Sequence, residues 1–128
     1  MQVEGSLCDP LVTERTVTFT KDQIAAYARA SGDMNPIHLD DDFARTVGLP
    51  GVIAHGMLQM GLMATVAAQA AGGPESLRRL YCRFAGMVVP GDTVTFTAEP
   101  EVGGKLVLRA VNQRGEQVLT KSVGEYSS

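Results

Sequence analysis

The 128-residue sequence contains no tryptophan, and its aromatic residues amount to 5%. A platform for stacking bases needs rings that this chain does not have. An excess of cations is missing as well: 11 Lys and Arg stand against 14 Asp and Glu, a formal charge of −3. A nucleic-acid footprint needs the opposite balance, so no nucleic-acid partner is expected. Cysteine is scarce. Cys8 and Cys82 make a weak disulfide framework, because secreted domains this small usually carry several bridges. Long hydrophobic runs are lacking too. The longest apolar stretch, residues 57–71, is interrupted by Gln59, Gly61 and Gln69, and it falls short of the ~20 residues that cross a bilayer. The first twenty residues hold Glu4, Asp9, Glu14 and Arg15 without an apolar segment, so no secretory signal is expected. These absences predict a soluble cytoplasmic protein with no membrane insertion.

What is present is ordinary globular chemistry, 45% hydrophobic and 20% charged. A chain of this length buries roughly 65–70% of its unfolded surface, and residues 1–128 read as a single domain without repeat or linker. Residues 13–20 alternate polar and apolar, with Val17 and Phe19 on one side, which predicts a strand. Thr20 and Gln23 form a Thr-x-x-Gln capping pattern that opens a helix, and Gly32 closes it. A short second helix is expected over residues 40–47, stopped by Gly48. A longer helix is expected over residues 56–71, apolar around nearly its whole circumference and therefore buried in the core.

From Leu77 the hydrophobic period changes to two. Strands are expected over residues 77–84, 92–99, 106–112 and 116–125. Pro90-Gly91-Asp92, Gly103-Gly104 and Arg114-Gly115 supply turn chemistry between them. Short turns between successive strands imply antiparallel pairing. The expected class is α+β, an antiparallel sheet wrapped around a long central helix. Such a sheet has free edges, so dimerisation that continues the sheet is expected.

The most unusual stretch is Ser31-Gly32-Asp33-Met34-Asn35-Pro36-Ile37-His38. A helix would direct Asp33 and His38 to opposed faces. A fold-back at Asn35-Pro36 lets both point into one space. Imidazole suits proton transfer near neutral pH, and a neighbouring carboxylate can be tuned to the same work. The plainer reading treats Asp, Asn and Ser as turn formers, with His38 capping a nearby chain end. A second stretch, Ile53-Ala54-His55-Gly56-Met57, places Gly56 at the start of the long helix. Free backbone N–H groups there favour developing negative charge, and glycine lets a carbonyl approach closely. A carbonyl polarised in that way is held as in an oxyanion hole. His55 itself is expected to be a helix-start cap or a packed ring.

Residues 27–62 (YARASGDMNPIHLDDDFARTVGLPGVIAHGMLQMGL), more than a quarter of the chain, resemble the hydratase signature of MaoC-like (R)-specific enoyl-CoA hydratases and (3R)-hydroxyacyl-thioester dehydratases. The resemblance implies a hot-dog fold and a hydro-lyase that interconverts trans-2-enoyl and (R)-3-hydroxyacyl thioesters. It implies Asp33 and His38 as the catalytic pair that positions and activates water; one of the two then delivers a proton to Cα, and which of them is acid and which base stays open. It implies Gly56 as donor to the thioester carbonyl. Ser31, Asn35 and Pro36 would shape the turn. The substrate would be an acyl-CoA or acyl-carrier-protein thioester, with no further cofactor. Some such hydratases carry a serine further along the central helix; here Ala64 stands at that place, with Thr65 beside it.

Neighbouring chemistries fit less well. Related thioesterases and the other dehydratase class need an acid near the central helix, and residues 57–71 hold no Asp or Glu. No Gly-x-Ser-x-Gly elbow surrounds Ser31. His38 and His55 do not stand in a metal-binding spacing, so no metal is expected. Arg78, Arg79 and Arg83 are either a solvated strand face or an anchor for the phosphates of the thioester carrier. The alternative function is an acyl-binding subunit, non-catalytic by itself, that completes another protein's site. The expected assembly is a homodimer, with a heterodimer as the other arrangement.

Overall fold

A computed structural model describes residues 13–85 and 87–127. Cys8, Glu4 and Asp9 lie outside them. Strand β1 (Thr13–Thr18) leads into helix α1 (Lys21–Ser31), a 3-10 turn at Pro36–His38, and the short helix α2 (Asp41–Thr46). Helix α3 (Gly56–Ala71) follows. Strands β2 (Leu77–Phe84), β3 (Thr93–Glu101), β4 (Lys105–Asn112) and β5 (Leu119–Tyr126) complete the sheet.

Local chemistry accounts for the boundaries. Thr20 Oγ1 accepts the Gln23 N–H at 3.0 Å, satisfying one of the free donors at the start of α1. The reciprocal half of the capping box does not form, and Gln23 Oε1 is buried without a partner. Gly32 ends α1 at φ 80°, a left-handed conformation that glycine reaches without steric cost. On β3, Val94, Phe96 and Ala98 are fully buried, while Thr93, Thr95 and Thr97 alternate with them on the other face. Across the β1–β3 pair, the Thr16 and Thr95 hydroxyls meet at 3.0 Å, and Thr18 and Thr93 at 2.9 Å.

The five strands run in the order β1-β3-β4-β5-β2, every pair antiparallel. Helix α3 lies across one face, chiefly over β3. Met63, Val66 and Ala67 pack into a core with Phe19, Ile24, Val94, Phe96, Leu108 and Ala110. A large apolar residue buried so completely contributes about 1.5–3 kcal/mol, and α3 supplies several of the contacts that bury it. This is the α+β, hot-dog arrangement that the sequence resemblance implies.

Two expectations need correction. Helix α3 is not enclosed on all sides. Its buried face carries Gln59, Met63, Val66, Ala67 and Ala71, whereas Met57 (68% exposed), Gly61, Thr65 and Gln69 face outward. Its all-round apolarity therefore exceeds what a single chain covers. Second, Pro90-Gly91-Asp92 is not a hairpin between neighbours. β2 pairs with β5 at one edge, and β3 begins beside β1 at the other. The turn belongs to a connection that crosses the fold, tied down by Phe19 N to Asp92 O and Gly91 N to Phe19 O, at 2.9 and 2.8 Å.

Candidate active site

The fold-back begins with a relay of side chains that each hold the backbone two residues on. Ser31 Oγ accepts the Asp33 N–H at 3.2 Å, Asp33 Oδ1 accepts that of Asn35 at 3.4 Å, and Asn35 Oδ1 accepts that of Ile37 at 3.1 Å. Such local bonds give the backbone an alternative to continuing α1. Pro36 then opens the 3-10 turn that ends at His38. The relay occupies Asp33 Oδ1 and leaves Oδ2 free.

Backbone from α2 to α3 is held just as firmly. Asp41 Oδ1 accepts the Val52 N–H at 2.9 Å, while Oδ2 takes the Lys21 ammonium at 2.6 Å. The Lys21 and Val52 donors keep the Asp41 carboxyl below the usual carboxylate range. Ile53 N donates to Ile37 O at 3.1 Å, and Ala54 N to Val88 O at 2.8 Å. His38 Nδ1 lies 2.8 Å from Ile53 O. A carbonyl only accepts, so Nδ1 carries the proton there. In neutral His38 the Nε2 lone pair is then the basic site.

That nitrogen faces Asp33 Oδ2 across 3.9 Å. The gap is too long for a direct hydrogen bond, and a solvent molecule set to one side of the line between them can bond to both groups. His38 is 9% exposed and Asp33 54%. The structure therefore brings the two residues singled out from the sequence into one place, with the carboxylate outermost. Asp33 also lines an open cleft of about 370 Å³ together with His55, Gly56, Met57, Met60, Cys82, Arg83 and Phe84. His38 is not among the lining residues of that cleft; its ring stacks on that of His55, which is, and it borders a separate pocket beside Lys21, Leu39 and Val52.

Gly56 is the first residue of α3, and no side chain caps this end. Its leading N–H groups have no intrahelical acceptor and open onto the cleft. A Cβ at Gly56 would meet nothing within 4 Å, so the chain's own packing does not demand glycine there. Cys82 is no competing nucleophile, because burial pushes its thiol up to about 11. Thr65 Oγ1 donates back to Gly61 O at 3.0 Å on its own helix.

His55 takes up more of the site than its sequence context indicated. It holds the N-cap position of α3 but makes no side-chain cap bond. Its ring instead stacks on His38, with centroids 3.7 Å apart and planes 20° from parallel, and meets the Tyr27 ring edge-on. Of the two expectations, the packed ring is the one the structure supports. Burial holds the His55 imidazole below its ordinary value, and the neighbouring His38 adds to this.

Ligand-type atoms of Asp33, His38 and His55 come within 4.8 Å of one another, a proximity that spacing did not foresee. In stacked rings, however, the in-plane lone pairs run side by side. An ion in the plane of one ring lies off the plane of the other, so the set does not converge on one centre.

The three arginines separate. Arg78 donates to Glu75 O at 2.7 Å, and Arg79 approaches Glu125 at 3.9 Å. Arg83 is the one that borders the cleft.

Comparison with known proteins identifies the family and the fold. Over 85 residues, 66% of this chain, the sequence is 39% identical to the peroxisomal hydratase-dehydrogenase-epimerase of Saccharomyces cerevisiae. Over 105 residues, 80% of this chain, it is 40% identical to the fatty acid synthase subunit beta of the same yeast. The chain spans only 9% and 5% of those two proteins. Among solved structures, the (R)-hydratase from A. caviae involved in PHA biosynthesis superposes with a TM-score of 0.72 at 30% identity, covering 90% of each chain. No helix is long and apolar enough to cross a membrane among the described residues. Residues 3–123 match the family model of the MaoC like domain, and the chain belongs to that family.

Proposed function

We propose that this protein is a hydro-lyase interconverting trans-2-enoyl and (R)-3-hydroxyacyl thioesters. The observation that carries the reading is the 3.9 Å gap between Asp33 Oδ2 and His38 Nε2, beside the uncapped start of α3. In the hydration direction the thioester carbonyl lies on the Gly56 N–H. A water held by Asp33 and His38 attacks Cβ and gives its proton to the pair. The electron pair of the double bond moves through Cα to the carbonyl oxygen, and Gly56 stabilises that enolate. The pair then returns a proton to Cα and ends the cycle as it began.

The scheme draws on this chain's own groups: the Asp33–His38 pair takes and returns the proton, and the Gly56 N–H polarises the carbonyl. The enoyl-CoA hydratase 2 of Arabidopsis thaliana, 35% identical over 77 residues, supports a CoA thioester, and the fatty acid synthase relative supports an acyl-carrier-protein thioester. Arg83 is suited to meet an anionic group of either carrier. A second copy of the chain, seated along the free edge of β2 and the outward stripe of α3, would deepen the open cleft. A homodimer is thus part of the proposal, and a different MaoC-like partner is its alternative. We also propose the cytoplasm as the compartment, although the yeast relative is peroxisomal.

The test is an absorbance assay at the enoyl-thioester band with crotonyl-CoA, longer analogues and matched carrier-protein substrates. Turnover by the chain alone, lost in Asp33→Asn and His38→Ala, is the expected result. Unchanged turnover in both variants would overturn the assignment. Activity that appears only with a second MaoC-like chain would replace the homodimer with a heterodimer.

A further inference from the structure

We propose that His55 is a positioning residue of the hydration site: a neutral imidazole in the Nε2–H tautomer, opposite to that of the His38 ring stacked on it, so that the pair of rings offers water one basic nitrogen, His38 Nε2. The kinetic part of this proposal rests on the function proposed above; the tautomer assignment does not.

His55 Nε2 lies 3.2 Å from Asp33 O. A backbone carbonyl has no proton to give, so Nε2 must be the donor. His38 donates from its other nitrogen, Nδ1, to Ile53 O. Stacked rings with the same elements around them are thus held in opposite proton arrangements by two different carbonyls. The His55 bond also ties the backbone of the residue that bears the reactive carboxylate to the residue that precedes Gly56. Both halves of the site hang on it.

Neutrality follows from the other nitrogen. His55 is 1% exposed, and its Nδ1 is buried with no partner among the described residues. A lone pair tolerates that position better than an N–H of a cation, which would lack an acceptor and lie against His38. The titratable groups that face His55 are Tyr27 from α1, Asp33 and His38 from the fold-back, and Cys82 and Arg83 across the cleft. Asp33 is the sole carboxylate among them, and it is turned toward His38 Nε2 at 3.9 Å. Among the described residues, no carboxylate is thus turned toward His55 Nδ1.

Long-range 15N–1H correlation spectra of histidine-labelled protein read both tautomers directly. Between about pH 5 and 8, His55 should remain neutral with the proton on Nε2, while neutral His38 carries it on Nδ1. A His55 that is protonated on Nδ1, or becomes imidazolium in that range, overturns the proposal. Two variants give an independent reading. The Gln amide N–H stands where Nε2–H stood, whereas the Asn amide stands at the Nδ1 position. His55→Gln should keep at least tenfold more kcat than His55→Asn, with KM within about threefold of each other, since a small misplacement near the chemistry costs up to ~100-fold. Asn matching or exceeding Gln overturns it. If neither variant folds, the spectrum of the unaltered protein decides. If the chain hydrates no enoyl thioester, the functional reading fails, and the spectrum still settles the tautomers.

Discussion

Two polar clusters in this molecule use similar side chains and reach opposite outcomes. Around Asp92, which is 4% exposed, every strong acceptor is met. Oδ2 takes the Val89 N–H at 3.1 Å, and Oδ1 takes Gln113 Nε2 at 2.9 Å and Arg114 Nη1 at 3.4 Å. Arg114 continues to Glu116, and Glu116 to Asn112. That network binds the crossing connection before β3 to the β4–β5 hairpin. Around Asp33, by contrast, Oδ2 faces a gap, His38 Nε2 has a free lone pair, and the first N–H groups of α3 have no cap. Complete pairing makes the first cluster structural. Incomplete pairing leaves the second able to bind and react.

Substitutions can set the two clusters apart. The largest effect is expected at the open cluster: Asp33→Asn or His38→Ala should lower kcat/KM by about 100- to 10,000-fold, and Asp33→Asn, at an exposed carboxylate, should keep a thermal midpoint close to that of the parent. Loss of midpoint in step with activity would erase the contrast. Gly56→Ala comes next. A carbonyl forced off the helix tip should cost about 100-fold in kcat/KM, while calorimetry should show stability maintained or raised, since alanine suits a helix better.

At the closed cluster, Asp92→Ala should remove about 2–3 kcal/mol of stability in urea titrations, because a buried charged acceptor and its donors lose one another. Activity per folded molecule should persist. The same cluster predicts a pH response. Burial alone would raise the Asp92 carboxyl, but the Gln113, Val89 and Arg114 donors outweigh it and hold it low. Its contribution is therefore complete above the unfolded carboxylate value and fades as pH falls below about 4. Asp92→Asn should flatten the stability profile in that window, and an unaltered slope would exclude Asp92 as its source. The smallest effect is expected for Ser31→Ala, which removes one bond of the relay and should lower kcat about two- to fivefold without moving KM, roughly what a net hydrogen bond contributes.

Much of this arrangement was legible in the sequence because the relevant signals are local. Alternation along β3, the Thr20 cap, Gly32 and the Asn35-Pro36 fold-back each act within a few residues, and the proximity of Asp33 to His38 follows from the turn between them. What stayed hidden depends on contacts made at a distance. The role of His55 arises from a ring 17 positions earlier in the chain, and helix-start context alone describes only its backbone. The Pro90-Gly91-Asp92 turn carries hairpin chemistry, yet strand order is decided by which edge β2 occupies. Apolarity around α3 suggested full enclosure, but composition does not say whether the same chain provides the cover. Arg78, Arg79 and Arg83 look equivalent in sequence, and Glu75 and Glu125 sort them.

The proton-handling groups all come from one uninterrupted run, residues 31–56, whereas Cys82, Arg83 and Phe84 on the opposite bank of the cleft come from β2. Inheritance can act on these two pieces separately. The first is one short contiguous run whose reactive geometry tolerates little change, and the second is a wall whose residues can be exchanged to admit different guests. Diversity of substrate within a lineage carrying this run should accordingly be written on β2, and the catalytic apparatus should stay the same.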